Sequence, residues 1–310
     1  MSVLCNYVCN DLSINNVEEI NLPKNVTIST MSCTCKLGVL IKLENIDKFM
    51  KLTEEDIITI KYNGKVRSLD KNVLKKRKKK KKTTKNFFNQ LTTEIRPSTH
   101  KKINVKIFKN GSLQMTGCKS INDCNTVLNH LINRLKKVYA QIENNKIVEY
   151  PFIEDINDIK NINVRKFKID MINSNFDIGY KINREILYNL LLKDKVTCRY
   201  EPCIHACVNI KFQPENQPHL DGNSNSSKDG PKKVSIFVFQ SGNIIITGAK
   251  NEEQIMESYK YINNILLINK DKIERKEIKE MFDDDEFSEL LVTNYKDNKN
   301  SSKKLNIKVI

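Results

Sequence analysis

An internal repeat constrains this chain more than any other feature of its sequence. Residues 108–120 (FKNGSLQMTGCKS) and residues 239–251 (FQSGNIIITGAKN) align without a gap. The positions that are identical in both copies are Phe108/Phe239, Gly111/Gly242, Thr116/Thr247, Gly117/Gly248 and Lys119/Lys250. Each copy follows a stretch of alternating apolar residues and precedes a helical pattern. Self-similarity in a shared context is the signature of a duplicated architecture, so we expect two copies of one folding unit.

Each copy predicts a strand, a turn, a second strand and a helix. The Asn-Gly pair at 110–111 and the Ser-Gly pair at 241–242 are signals for tight hairpins, because glycine tolerates a positive φ. Ser120 and Asn251 stand three residues before Asp and Gln respectively, which is the spacing of a helix N-cap and its partner. Apolar residues at helical spacing follow and are expected to pack in the core. They are Val127, Leu128, Leu131, Ile132, Leu135 and Val138 in the first copy, and Ile255, Met256, Tyr259, Ile262, Ile265 and Leu266 in the second.

Alternation along the strands predicts two different sheet faces. The inward residues are Val105, Ile107, Leu113 and Met115 in the first copy, and Val234, Ile236, Val238, Ile244 and Ile246 in the second. The outward residues are Lys106, Phe108, Gln114 and Thr116, and then Ser235, Phe237, Phe239, Asn243, Ile245 and Thr247. Because helices cover one face, the other presents Phe and Ile mixed with polar side chains. Such a mixture is typical of a binding surface; burial by an insertion or a partner subunit is the alternative.

Charge and composition narrow the class of partner. The 310 residues include 53 Lys and Arg against 37 Asp and Glu, a net charge of +16. This excess favours a polyanion, nucleic acid first. No apolar run approaches the roughly 18 residues of a membrane span, and nine scattered cysteines suit reduced thiols. No catalytic constellation and no phosphate-binding glycine loop is recognisable, so we expect neither an enzyme nor a cofactor.

The chain divides by composition into repeats, insertions and tails. Lys75–Lys82 is a block of eight cations, which repels itself and predicts a solvated loop. The expected segments are an N-terminal tail at 1–20, a first repeat at 21–145 with a basic insertion at 66–86, a linker at 146–163, a second repeat at 164–270 with a flexible insertion at 213–233, and a charged tail at 271–310 that carries the acidic stretch Asp283–Glu289.

At the two repeated hairpins, residues 108–120 and 239–251, the chain resembles the TATA-box-binding protein family. The resemblance extends to an opening strand at Thr27–Leu37, its counterpart at Phe167–Ile178, and the loop sequences Tyr200-Glu201-Pro202 and Ile95-Arg96-Pro97. It covers about residues 26–142 and 164–268. It implies an α+β fold, a saddle of two pseudo-symmetric repeats with a curved antiparallel β-sheet and helices on the convex side.

The resemblance also implies roles for particular residues. It gives DNA-wedge positions to Phe88, Phe108, Phe239 and His205; groove-facing positions to Val26, Ile28, Gln114, Thr116, Met171, Asn173, Phe237, Ile245 and Thr247; phosphate contacts to Lys119, Lys211 and Lys250; and a partner-binding stirrup to Tyr200, Glu201 and Pro202.

Several residues depart from the family pattern. His205 replaces the second wedge of repeat two, Val26 and Met171 replace two central asparagines, and Glu94 replaces a phosphate-binding arginine. Glu94 would repel DNA unless it turned away, so we expect an A·T-rich preference with altered sequence rules. The spacing of Cys198, Cys203, His205 and Cys207 invites a zinc site, but one strand cannot readily aim all four at one centre, and we expect no metal.

The function expected from the resemblance is that of a general transcription factor. It would bind A·T-rich double-stranded DNA as a monomer, bend it, and recruit general transcription factors and RNA polymerase, with no membrane partner. The alternatives are a saddle-shaped protein-interaction module and a nonspecific DNA-binding protein. Abundant Lys, Asn and Ile indicate A·T-rich coding DNA, so we expect the nucleus if the protein is cellular, and a cytoplasmic viral factory or the virion if it is viral.

Overall fold

The structure, a computed structural model, describes residues 20–73, 88–98, 101–215 and 233–275. The Lys75–Lys82 block, the acidic stretch and most of the predicted flexible insertion lie outside these residues. The strands are β1 (Thr27–Lys36), β2 (Ile57–Tyr62), β3 (Lys65–Ser68), β4 (Gln90–Ser98), β5 (Lys101–Phe108), β6 (Ser112–Cys118), β7 (Val138–Glu143), β8 (Lys146–Pro151), β9 (Arg165–Asp177), β10 (Cys198–Arg199), β11 (Cys207–Phe212), β12 (Val234–Phe239) and β13 (Asn243–Ala249). The helices are α1 (Leu43–Phe49), α2 (Ile121–Leu135), α3 (Arg184–Lys193), α4 (Glu252–Ile268) and α5 (Lys270–Ile273), with a 3₁₀ helix at Ile156–Asn161.

The chain forms two compact units, and β11, β12 and β13 each contribute residues to both. The first unit holds the described residues up to Phe176, with those of 211–236 and 245–262. Its sheet has the strand order β11-β12-β13-β9-β1-β6-β5-β4-β2-β3. β1 pairs antiparallel with β6 and with β9, and bulges interrupt both registers. The α+β class with an antiparallel sheet is therefore confirmed.

The second unit holds residues 177–210, 237–244 and the described residues from Asn263 onward. In it β10 pairs antiparallel with β11, where Cys198 lies opposite Ile210. The end of α5 contacts the loop before α3, since the Asn183 amide donates to the Ile273 carbonyl over 2.6 Å. The boundary between the units does not coincide with the boundary between the sequence repeats.

A pair of backbone hydrogen bonds recurs in both repeats. In the first, the Leu37 amide donates to the Gly111 carbonyl (2.9 Å) and the Ile41 amide to the Lys109 carbonyl (2.9 Å). In the second, Ile178 donates to Gly242 (3.2 Å) and Ile182 to Gln240 (2.9 Å). The hairpin turn therefore contacts the end of the opening strand in the same way twice, as a duplicated unit requires.

Both turn glycines are required by space as well as by φ. Gly111 has a φ of +77° and Gly242 a φ of +92°. A Cβ added at Gly111 would lie 2.1 Å from the Val39 carbonyl oxygen, and one at Gly242 would lie 2.3 Å from that of Tyr180. Real Cβ atoms do not approach backbone oxygens so closely, so any side chain would have to displace the turn.

The predicted helix starts are confirmed. The Ser120 hydroxyl accepts from the Asp123 amide over 3.1 Å, and the Asp123 carboxylate accepts from the Ser120 amide over 3.1 Å. At α4 the Asn251 side chain accepts from the Gln254 amide over 3.1 Å. Each cap satisfies amide donors that the first helical turn leaves without partners.

The core of the first unit lies between the sheet and its helices. In this unit the predicted inward residues of the first hairpin, and Val234, Ile236 and Ile246 of the second, are almost fully buried, and so are the α2 residues from Val127 to Leu135 that were predicted to face the core. The inward residues Val238 and Ile244, which belong to the second unit, are buried as well. Cys124 of α2 places its Sγ 3.8 Å from that of Cys33 on β1, in direct helix–sheet contact. On α4, Tyr259 packs edge-on against Phe176 of β9 with ring centroids 4.8 Å apart.

One buried ion pair joins the end of α2 to the loop before β2. Arg134 donates through Nε and Nη2 to the carboxylate of Asp56, with an Nη2–Oδ1 distance of 3.0 Å. Burial alone would raise the pKa of Asp56, but hydrogen bonds from Arg134, Thr53 and the Ile57 amide outweigh it and lower that pKa. This carboxylate is therefore held in its charged form.

Two sequence predictions about this region differ from the structure. Val138 was predicted to extend the apolar face of α2, but the helix ends at Leu135 and Val138 begins β7. The expected linker at 146–163 contains β8, which pairs with β7 in a separate two-stranded sheet, and the 3₁₀ helix. No glycine or proline separates α2 from β7, so the sequence does not clearly mark where the helix ends and the strand begins. Residues 66–68 of the predicted basic insertion lie in β3.

Candidate nucleic-acid interface

The outward face of the hairpins carries the mixture of side chains that the alternation predicts. On β5 and β6 the residues between the buried positions are half-exposed or exposed, and on β13 they are half-exposed. The outward residues that are half-exposed are Lys106, Phe108, Gln114, Thr116, Phe237, Phe239, Asn243, Ile245 and Thr247. Ser235, at 9% exposure, is more buried than its position predicts.

Phe108 and Phe239 occupy equivalent positions at the ends of their strands. Phe108 is the last residue of β5, and its carbonyl accepts from the Gly111 amide over 2.9 Å. Phe239 is the last residue of β12, and its carbonyl accepts from Gly242 over 3.2 Å. The backbone of each residue is thus fixed by a tight turn while its ring remains partly exposed, an arrangement that suits contact with a ligand.

The two other predicted wedges lie outside strands. Phe88 lies two residues before β4 and is 61% exposed, and its carbonyl accepts from the Tyr62 hydroxyl over 3.0 Å. His205 is exposed in the loop between β10 and β11, where its amide donates to the Glu201 carbonyl over 2.8 Å. Its neighbour Ile204 is among the most exposed apolar residues of the described chain.

Three predicted groove residues come together on adjacent strands of the first unit. The Thr247 hydroxyl of β13 donates to the Asn173 side chain of β9 and lies 3.7 Å from the Met171 sulfur. In β1, Ile28 is half-exposed, whereas Val26, just before the strand, is only 6% exposed. The asparagine preceding it donates to the Tyr259 hydroxyl of α4 over 2.9 Å, which ties this segment to the helix.

The predicted phosphate-binding lysines have different environments. Lys119 is exposed immediately before α2, and Lys250 is half-exposed at the equivalent place before α4. Lys211 donates to the Ser235 hydroxyl over 2.6 Å, so its ammonium group is held against β12. Glu94, which we expected to repel DNA, forms an ion pair with Lys61 of the neighbouring strand, and the pair leaves no net charge there.

The residues of the predicted stirrup form part of the second unit. Arg184 of α3 lies over the Tyr200 ring, with Cζ 5.4 Å from the centroid, and donates to the Ala206 carbonyl over 2.6 Å. Tyr188 packs against the same ring at 5.9 Å. One arginine therefore holds both ends of the β10–β11 loop.

The zinc interpretation has no geometric support. Cys198 lies on β10 opposite Ile210, while Cys203 is exposed in the loop. Within the described ranges, no group of three or more His, Cys, Asp or Glu side chains is arranged to hold a metal ion. Across the same part of the chain, no helix has the length and apolarity needed to cross a membrane.

Sequence reasoning missed three lysines on the outward face. Lys36 ends β1, and Lys166 and Lys168 lie at the start of β9. All three line an open cavity beside Phe108. Alternation along Cys33–Lys36 could have placed Lys36 on this face. The positions of Lys166 and Lys168 could not be predicted in this way, because a bulge in β9 interrupts the alternation there.

Comparisons with known proteins identify the family to which the chain belongs. The family model for transcription factor TFIID (or TATA-binding protein, TBP) matches residues 67–138 and 166–267. The chain therefore belongs to the TATA-binding protein family, a family of transcription factors, as its sequence resemblance predicts.

Individual relatives come from a virus and from archaea. A TATA-box-binding protein-like protein of Acanthamoeba polyphaga mimivirus is 40% identical over 258 residues, 78% of this chain and 65% of the relative. A TATA-box-binding protein of Thermococcus kodakarensis is 28% identical over 51% of this chain and 63% of the relative. The aligned region thus spans less than two thirds of either relative. The solved structure of Methanococcus jannaschii TBP matches with a TM-score of 0.47 and 18% identity, over 78% of this chain and 98% of that one.

Proposed function

We propose that this protein binds A·T-rich duplex DNA in the minor groove through the outward sheet face, bends it, and helps to initiate transcription. The observation that carries the proposal is the equivalent, turn-anchored and partly exposed placement of Phe108 and Phe239. Phe88 and His205 are the other proposed wedges. Family membership supports a DNA-binding role, and the excess of cations supports a polyanionic ligand.

The physics of groove opening accounts for this combination of side chains. Separating one base step costs a few kcal/mol, which an inserted apolar side chain offsets by contact with the bent duplex. Thr116 and Thr247 would face the minor-groove acceptors, which barely distinguish A·T from T·A. The hydroxyl contacts of Thr247 with Asn173 and Met171 would hold these groove residues in one arrangement.

The resemblance to the family also suggests which surface would contact partner proteins. The Tyr200–Pro202 turn, held by Arg184, would contact general transcription factors and RNA polymerase machinery while one monomer occupies the DNA. The mimivirus relative is consistent with a viral factory or virion, and a cellular protein of this family would act in the nucleus. The Lys75–Lys82 block would add salt-dependent affinity without sequence preference.

A bending assay tests the DNA proposal. Duplexes labelled at both ends report bending by resonance energy transfer, and we expect a change with A·T-rich duplexes but not with G·C-rich ones. Phe239→Ala should reduce the transfer change while lowering low-salt affinity by less than about tenfold, because phosphate contacts dominate there. Tyr139→Ala is the matched control, since this aromatic residue is also partly exposed but lies in the separate β7–β8 sheet. Equal binding of both duplexes without bending would refute the proposal.

The interaction-module alternative predicts no DNA protection at physiological salt. Glu94 was one of its supports, because an unpaired acid on this face would repel DNA. Its ion pair with Lys61 removes that one support, while His205, Val26 and Met171 still depart from the family pattern.

A further inference from the structure

An open cavity of about 540 Å³ lies in the first unit beside the Phe108 ring. Its walls come from β1, β5, β6 and the first residues of β9. Lys36, Lys166 and Lys168 line it, and none of its lining residues carries a carboxylate. A positive recess next to an exposed aromatic ring suits an anionic group that belongs to a larger, partly apolar ligand.

The strand register brings the lysines together. β1 and β9 run antiparallel, with Thr34 opposite Lys168 and Lys36 opposite Arg165. A bulge separates those two pairs, and Lys166 lies within it with a φ of +52°. A positive φ is uncommon for a residue with a side chain, and such strained positions cluster at functional sites. Here the bulge gives β9 a second lysine at the cavity.

A hydroxyl group in the cavity has no partner. Thr34 Oγ1 is buried and makes no hydrogen bond to any residue that the structure describes, although Thr34 lines the cavity. Leaving a buried polar atom unpaired costs about 1–3 kcal/mol. If the Thr34 side chain rotated toward the cavity, a bound anion could accept a hydrogen bond from this hydroxyl and remove that cost.

At the equivalent place in the second repeat the side chain that corresponds to Thr34 makes a hydrogen bond, and the cavity lysines have no counterparts. The recurring hydrogen bonds of Leu37 and Ile178 align residues 33–38 with 174–179. Asn175 therefore corresponds to Thr34, and its side-chain oxygen accepts from the Thr27 hydroxyl over 3.1 Å. Asp177 corresponds to Lys36, and Thr27 stands where the first repeat has Lys168. The cavity lysines are thus a feature of one repeat.

Neighbouring acids do not neutralise the cavity. Lys168 Nζ lies 3.2 Å from Asp170 Oδ1, but this ammonium group is 70% exposed, and exposed pairs contribute little. Among the described residues, no carboxylate lies within 4.0 Å of Lys36 or Lys166. At least two of the three positive charges are therefore free to bind a ligand.

We propose that this cavity binds a phosphodiester group of the DNA backbone, held by Lys36, Lys166 and Lys168 and by the Thr34 hydroxyl. This inference rests on the proposed function and adds to it a contact that one repeat makes and the other does not. A duplex bound in the opposite direction presents an equivalent phosphate at the same place, so this contact adds affinity in either direction.

Phosphate neutralisation tests the assignment. Single methylphosphonate groups, which carry no charge, are placed in turn along an A·T-rich duplex, and affinity is measured for the full chain. The variant carries Lys36→Gln, Lys166→Gln and Lys168→Gln. We expect one or two substitutions, all on one side of the site centre, to weaken the unsubstituted protein but not the variant. The salt slope of the variant should fall by about 1 to 2, about one for each phosphate that the variant leaves without a lysine partner.

The matched control carries Lys160→Gln, Lys193→Gln and Lys260→Gln, which remove the same charge from exposed positions on helices. Its methylphosphonate profile should be that of the unsubstituted protein. If every methylphosphonate weakened the cavity variant and the unsubstituted protein equally, the phosphate site would be refuted, even where bending was normal. Weakened ATP binding by the cavity variant together with that result would instead identify a free nucleotide as the ligand. If the unsubstituted protein did not bend A·T-rich DNA, the proposed function would be refuted, whatever the methylphosphonate result.

Discussion

Replacing Gly242 with alanine should destabilise the second unit far more than the same change at Gly179. Both glycines have a positive φ, +92° at Gly242 and +83° at Gly179. Each substitution therefore carries the left-handed backbone cost, about 1–2 kcal/mol for a residue with a Cβ. The two positions differ in what the new Cβ would meet, because nothing lies within 4 Å of it at Gly179.

At Gly242 the new Cβ would lie 2.3 Å from the Tyr180 carbonyl oxygen. Relief of this clash requires the turn to move away from residues 178–182. That movement weakens the Ile178–Gly242 and Ile182–Gln240 hydrogen bonds, of 3.2 and 2.9 Å, each contributing about 1 kcal/mol. The expected loss is about 3–4 kcal/mol for Gly242→Ala, against about 1–2 kcal/mol for Gly179→Ala.

Thermal unfolding followed by circular dichroism measures the difference. For a protein of this size 1 kcal/mol corresponds to about 2–4 °C, so the Gly242 variant should melt about 4–8 °C below the Gly179 variant. DNA bending should fall in the same order, because the Phe239 carbonyl is held by the Gly242 amide. Melting temperatures within about 2 °C of each other would refute the steric reasoning.

Three further predictions concern stability and reactivity. Asp56→Asn should make the free energy of unfolding depend less on pH. Because the pKa of Asp56 is lowered in the folded protein, its carboxylate adds stability above the usual carboxyl pKa of about 3.9, and this stability is lost as the pH falls through the folded pKa. Urea unfolding between pH 3 and 7 measures the difference. Ser120→Ala should cost about 1 kcal/mol through loss of the α2 cap, measured by the urea midpoint; an unchanged midpoint would contradict the role of the cap. Exposed Cys203 should react with iodoacetamide in the folded protein, whereas Cys35, whose pKa burial raises to about 12, should react after unfolding; mass spectrometry of digested protein distinguishes the two, and equal labelling would be the contrary result.

The hairpins and their faces were predictable because their causes are local. The turn glycines, the caps at Ser120 and Asn251, and the alternation along β5, β6, β12 and β13 each depend on residues close together in the chain. Strand alternation places a residue on one face or the other whatever the neighbouring strand is. The partly exposed, outward position of Phe108 therefore followed from its place in the repeat.

Other features required knowledge of neighbours distant in sequence. The β7–β8 sheet was missed because Val138 fits the helical period as well as it fits a strand. Lys61 lies 33 residues before Glu94, so no sequence pattern shows that the acid is neutralised.

The cavity beside Phe108 depends on the bulged pairing of β1 with β9. Strand pairing over more than a hundred residues is set by the packing of the whole sheet, not by local preference. Local periodicity in the sequence thus determines the folding unit, and it also determines the sheet face toward which each strand residue points. Which charges meet, and which hydroxyl stays unpaired, follows from long-range register, because a shift of one residue moves a side chain to the opposite face.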